Sequence, residues 1–131
     1  MTVAVAHQVS ATSRKALQEA LREARCRGTD LAVLHVVGSI DADTEDAYRA
    51  GVADDIEAAL SGQEPVTWTL HLATASSDLG AGVMKLADEV GADVLVIGAR
   101  RRSPVGKALM GSVAQTIILE ADMPVLVVKS P

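Results

Sequence analysis

Short apolar runs alternate along the chain with stretches whose apolar residues recur at helical spacing. Val3–Ala6, Leu31–Val37, Val66–Leu72, Val94–Ile97 and Val125–Val128 are rich in Val, Leu and Ile, the pattern of strands buried on both faces. Between the first two runs, Ala16, Leu17, Ala20, Leu21 and Ala24 share one helical face that opens at a Ser/Thr-rich turn and stops near Gly28. Tyr48, Val52, Ile56, Ala59 and Leu60 make a second face, with Asp41, Asp43, Glu45 and Asp46 near its positive end. Leu79, Val83, Leu86, Ala87 and Val90 make a third, ending at Gly91. Met110, Val113, Ala114, Ile117, Ile118 and Ala121 make a fourth, closed by Pro124. Five strands alternating with four helices predict an α/β fold of the Rossmann-like kind: a parallel sheet joined by right-handed crossovers, with helices on both faces.

The length of 131 residues suits one domain, residues 1–131, with no linker or internal repeat. Only 2% of the chain is aromatic and Phe is absent, so the core has to be built from aliphatic side chains. A net charge of −5 argues against a general nucleic-acid surface. The charge is unevenly spread. Gly98 to Leu119 contains no acid but holds Arg100, Arg101, Arg102 and Lys107, a +4 island that leaves −9 on the rest of the chain. Such an island suits a small anionic ligand. Cys26 is the single cysteine, which excludes an internal disulfide, and its place on a predicted helix suggests plain packing. With no signal peptide and no apolar run of membrane-spanning length, a soluble cytoplasmic protein is expected.

In a doubly wound sheet, ligands bind beyond the carboxyl ends of the strands where the strand order reverses. The fourth strand is predicted to end at Ile97, so that Gly98 opens a loop running to Gly111-Ser112. Gly98, Gly106 and Gly111 would let backbone amides come close to a ligand. The last helix has no carboxylate before Glu120, so free amides, the helix dipole and nearby guanidinium groups make a phosphate seat. Two better-known phosphate motifs are excluded. A Walker A loop needs Gly where Arg101 stands and Ser or Thr where Ala108 stands, and no Gly-x-Gly-x-x-Gly follows the first strand.

The chain resembles the universal stress protein family, whose ATP-binding members carry Gly, two residues, Gly, nine residues, then Gly-Ser or Gly-Thr after the fourth strand. Here the series is Gly98, two residues, Arg101, nine residues, Gly111-Ser112. Asp93-Val94-Leu95-Val96-Ile97-Gly98 is similar to the family's fourth strand, and Gly111-Ser112-Val113-Ala114 to its phosphate-binding turn. Ala121 to Lys129 is similar to its closing strand and Leu34-His35-Val36-Val37 to its second. The chain departs from the family at Arg101, in place of the middle glycine, and at Gln8-Val9-Ser10, in place of Asp-Gly-Ser.

The resemblance implies strand order 3-2-1-4-5 and a site that binds ATP, with magnesium accompanying the nucleotide. Gly111, Ser112 and Val113 amides and the Ser112 hydroxyl would meet phosphate. Gly98 would line the triphosphate path, Val36 would meet adenine through its backbone, and Gln8 would take the place of Asp. Arg100, Arg101 and Gly106 complete the expected site, Arg101 through a charge-assisted contact. A homodimer through the last strand is also implied, which would cover an apolar sheet edge. The alternative reading is a dimeric stress adaptor of the same fold that binds no nucleotide.

Three further features bear on chemistry. His7, His35 and His71 lie in or beside the first three strands, so a three-His metal site is conceivable, but no carboxylate or Cys stands beside them at ligand spacing and no metal is expected. The Asp41 to Asp46 run is the solvated start of a helix. No nucleophile has an evident base, Asp78 has the place of a first-turn acid, and binding without catalysis is expected beyond incidental slow hydrolysis.

Overall fold

The computed structural model describes residues 1–8, 11–100 and 111–130. Among them, five strands alternate with four α-helices. β1 (Val3–Ala6), α1 (Ala11–Arg27) and β2 (Leu31–Val37) come first, then a 3₁₀ turn at Ala42–Thr44 that leads into α2 (Glu45–Leu60). β3 (Trp68–Thr74), α3 (Leu79–Glu89), β4 (Val94–Arg100), α4 (Ser112–Glu120) and β5 (Val125–Ser130) follow. The strands form one sheet in the order β3-β2-β1-β4-β5, and every pairing is parallel. This is the predicted doubly wound architecture and strand order. No described helix is long and apolar enough to cross a membrane.

β1 is central, paired from Val3↔Leu31 to Ala6↔Leu34 on one side and from Val3↔Val94 to Val5↔Val96 on the other. Side chains alternate across the sheet. Val3, Val5, Leu31, Val33, Val94 and Val96 face α1 and α2, packing against Leu17, Leu21, Val52 and Ile56. Ala4, Leu34, Leu95 and Ile97 face α3 and α4, packing against Val83, Leu86 and Ile117. The predicted stripes of α1, α2 and α3 thus face the core, except that Tyr48, expected in the α2 stripe, is exposed. Gly28 and Gly91 take positive φ, 66° and 65°, and turn the chain out of α1 and α3 where the sequence predicts stops.

Strand ends differ from the apolar runs. β3 starts at Trp68 instead of Val66, because the ladder with β2 opens at Leu31↔Trp68, and it runs on to Thr74. β4 and β5 extend past Ile97 and Val128 to Arg100 and Ser130, since backbone pairing continues through polar residues as the strands emerge. Gly98 therefore lies inside β4, paired with Val128, and does not open a loop. Cys26 is exposed, lying off the inward stripe of α1, so the packing role expected of it does not hold. Asp78 is the cap of α3, not a first-turn acid: its carboxylate accepts from the Ala81 N–H at 3.0 Å. Asp41 caps the 3₁₀ turn, accepting from the Asp43 N–H, while Glu45 and Asp46 occupy the first turn of α2.

Candidate functional site

The carboxyl edge of the sheet opens into a cavity of about 490 Å³ between β1 and β4, where the strand order reverses. That volume is of the size that small-molecule sites occupy. Its two sides differ. Val36, Leu79, Val83, Ile97 and Ile117 form an apolar wall toward α3 and α4, while Gln8, Thr12, Ser13, Arg100 and the start of α4 form a polar one. No described residue lining it carries a carboxylate, and Arg100 brings a guanidinium.

The start of α4 supplies the main donors. Gly111 is its N-cap at φ −63°, without a side-chain cap, and the first turn holds no acid. The first N–H groups of a helix have no partner inside it, and the helix dipole places partial positive charge there. Gly111, Ser112, Val113 and Ala114 all line the cavity. A Cβ added to Gly111 would meet no described residue within 4 Å.

Gly98 lines the cavity for a different reason from the one expected. A Cβ there would come within 2.7 Å of Thr12 Cγ2 and 2.9 Å of the Thr12 carbonyl oxygen. The glycine lets the start of α1 close onto β4. Thr12 also accepts from the Ser130 hydroxyl at 3.1 Å, and the Ser13 hydroxyl accepts from the Gln8 N–H at 2.7 Å, tying Gln8 to the start of α1. Gln8 itself is exposed. β2 outlasts β1 here: the His7 N–H donates to the Leu34 carbonyl at 2.8 Å, and Val36, whose side chain shares the face of Leu34, lines the cavity beyond it.

Seven of the nine expected site residues, Gln8, Val36, Gly98, Arg100, Gly111, Ser112 and Val113, are thus brought to one cavity. Arg101 and Gly106 lie outside the described residues. The three histidines do not converge. His71 pairs with Leu34 and shares its face toward α3, whereas His7 and His35 face α1 and α2. Among the described residues, no group of three His, Cys, Asp or Glu is placed to hold a metal.

His7 also lines the cavity, and its ring is fully committed behind it. Nδ1 lies 2.9 Å from His35 Nδ1 and Nε2 lies 2.9 Å from the Asp55 carboxylate, while His35 Nε2 lies 2.7 Å from the Tyr48 hydroxyl. Burial holds His7 below the ordinary imidazole range, although Asp55 pulls the other way. Burial, reinforced by repulsion from His7, pushes His35 down to about 4. Both rings are therefore neutral at pH 7. Sequence reasoning missed Asp55 and placed Tyr48 among the packing residues. Their seven-residue separation, two helical turns that also frame Val52, was the available signal.

Residues 1–129 match the sequence profile of the family described as the universal stress protein family. A universal stress protein of Mycolicibacterium smegmatis is 35% identical over 133 aligned positions, covering 97% of this chain and 96% of that protein. The structure of a universal stress protein from Archaeoglobus fulgidus superposes with a TM-score of 0.79 at 33% identity, covering 98% of each chain. Another from the same organism, in complex with dAMP, superposes with a TM-score of 0.72 at 27% identity, again over 98% of each chain.

Proposed function

Because this chain belongs to the universal stress protein family, we propose that its cavity holds an adenine nucleotide such as ATP and that it serves a stress response by binding. The observation that carries this reading is the uncapped, acid-free start of α4 opening into the cavity, opposite an apolar wall. Polyphosphate would take the amides of Gly111, Ser112 and Val113, with the Ser112 hydroxyl and the Arg100 guanidinium beside them. The base would lie against Val36, Leu79 and Val83, with the Val36 backbone and the Gln8 amide giving polar contacts. The A. fulgidus relative in complex with dAMP supports the class of ligand. With no carboxylate among the described lining residues, magnesium would arrive with the triphosphate, held by its oxygens and by water.

Binding rather than catalysis is supported by His7, whose two ring nitrogens are both engaged by protein partners, leaving neither to accept a proton from a ligand. We also propose a cytoplasmic homodimer formed through β5, at the edge of the sheet, where Leu126 is 37% exposed and Leu119 of the preceding helix 82%. Calorimetric titration of the purified chain with ATP and magnesium tests the ligand. Saturable binding is expected, and its absence up to about millimolar nucleotide would leave the dimeric adaptor as the reading.

A further inference from the structure

Asp55, His7, His35 and Tyr48 form an unbroken chain on the α1–α2 face, and chemistry fixes where its protons sit. Ionised Asp55 can only accept, so His7 donates from Nε2 and, being neutral, accepts at Nδ1. His35 then donates from Nδ1 and accepts at Nε2, where the Tyr48 hydroxyl donates. Among the described residues, no buried side-chain nitrogen or oxygen lacks a partner.

This chain can take one more proton without losing a bond. Tyr48, 36% exposed, accepts a proton from solvent at its oxygen and passes its own to His35 Nε2. His35 passes its Nδ1 proton to His7 Nδ1. Every bond between Tyr48 and His7 is then reversed, and the new charge rests on His7, against the Asp55 carboxylate and on the cavity wall. A second proton would set two N–H donors head to head across 2.9 Å.

We propose that these four residues are a one-proton relay, through which a proton taken up at Tyr48 comes to rest on His7 and tightens the hold of the cavity on an anion. The tightening rests on the nucleotide reading above; the relay does not. Of the elements around the pair, α2 contributes Asp55 and Tyr48, β2 contributes His35, and β4 contributes Arg100 at the cavity. α1 contributes Ser13, which does not titrate, while its Arg14 and Lys15 are exposed. The low positions of both imidazoles agree with two separated steps, the first belonging to the pair.

The test is an imidazole nitrogen NMR titration of the whole chain, beside ATP titrations at about pH 5.5 and about pH 7.5. In one transition, His7 is expected to become doubly protonated while His35 changes tautomer from Nδ1–H to Nε2–H. Tyr48→Phe, at a partly exposed position where the fold should tolerate it, is expected to abolish that tautomer change. ATP should bind several-fold more tightly at the lower pH. Tyr48→Phe should reduce that ratio, a comparison in which the ionisation of ATP itself cancels. Rings that titrate independently with fixed tautomers, or a zinc titration that ties both Nδ1 atoms to the metal, would overturn the relay. Equal pH ratios in the two proteins would overturn the tightening. Failure of ATP to bind at either pH would remove the nucleotide reading, and the tightening with it, while the imidazole titration still decides the relay.

Discussion

Two glycines at the cavity do opposite jobs. Gly98 has a neighbour that cannot withdraw cheaply, since one of the atoms it would strike is the Thr12 backbone oxygen at 2.9 Å. Gly98→Val should therefore push the start of α1 off β4 and cost about 1–3 kcal/mol, the usual penalty of overpacking, read as a lower urea midpoint. Gly111 has ordinary φ, and among the described residues nothing lies within 4 Å of an added Cβ. Gly111→Val should leave the unfolding midpoint unchanged while weakening ATP at least about tenfold, a loss of about 1.4 kcal/mol, by occupying the place of a phosphate. Unchanged ATP affinity in this folded variant would remove Gly111 from the site. The same residue type, at two points of one cavity, thus separates fold from ligand.

Among the elements, α2 is the one whose role the hydrophobic pattern described least well. Its buried stripe of Val52, Ile56 and Ala59 was legible, because apolar residues at helical spacing have one way to be buried. The polar chain that Tyr48 and Asp55 complete with the histidines was not, because periodicity does not say which strand face a helix covers. That pairing has a measurable effect on stability. Both imidazoles have folded values below the ordinary 6.5, so as pH falls the unfolded chain binds protons first. Stability should be greatest above about pH 6.5 and decline toward about pH 4, where His35 also charges. The decline from His35 should be at most roughly 3 kcal/mol. Urea midpoints across this window would show it, and in His35→Gln the slope should shrink. A slope unchanged by that substitution would assign the acid sensitivity to other groups.

Over the whole molecule, both helical layers were legible in the pattern, since alternating buried strands and amphipathic helices admit few arrangements, whereas the strand order followed from the family resemblance. The site was legible in outline. Gly111 to Val113 could be placed at a helix start, but Thr12, Leu79 and Val83 became neighbours only through the folding of distant elements. Assembly belongs to this scale as well. Sedimentation of the intact protein should give a dimer, and Leu126→Lys, placing a charge on the exposed edge of β5, should shift it toward monomer without loss of folding. A monomer at high micromolar concentration would leave that edge without a partner copy.

The cavity draws its walls from both sides of the sheet: Thr12 and Ser13 from α1 on one side, Leu79 and Val83 from α3 and the first turns of α4 on the other. A guest seated there works as a cross-brace. It joins helical layers that lie on opposite faces of the sheet, so its arrival should slow amide exchange at the leading ends of α1 and α4 together. The brace would resist thermal unfolding in proportion to the logarithm of guest concentration.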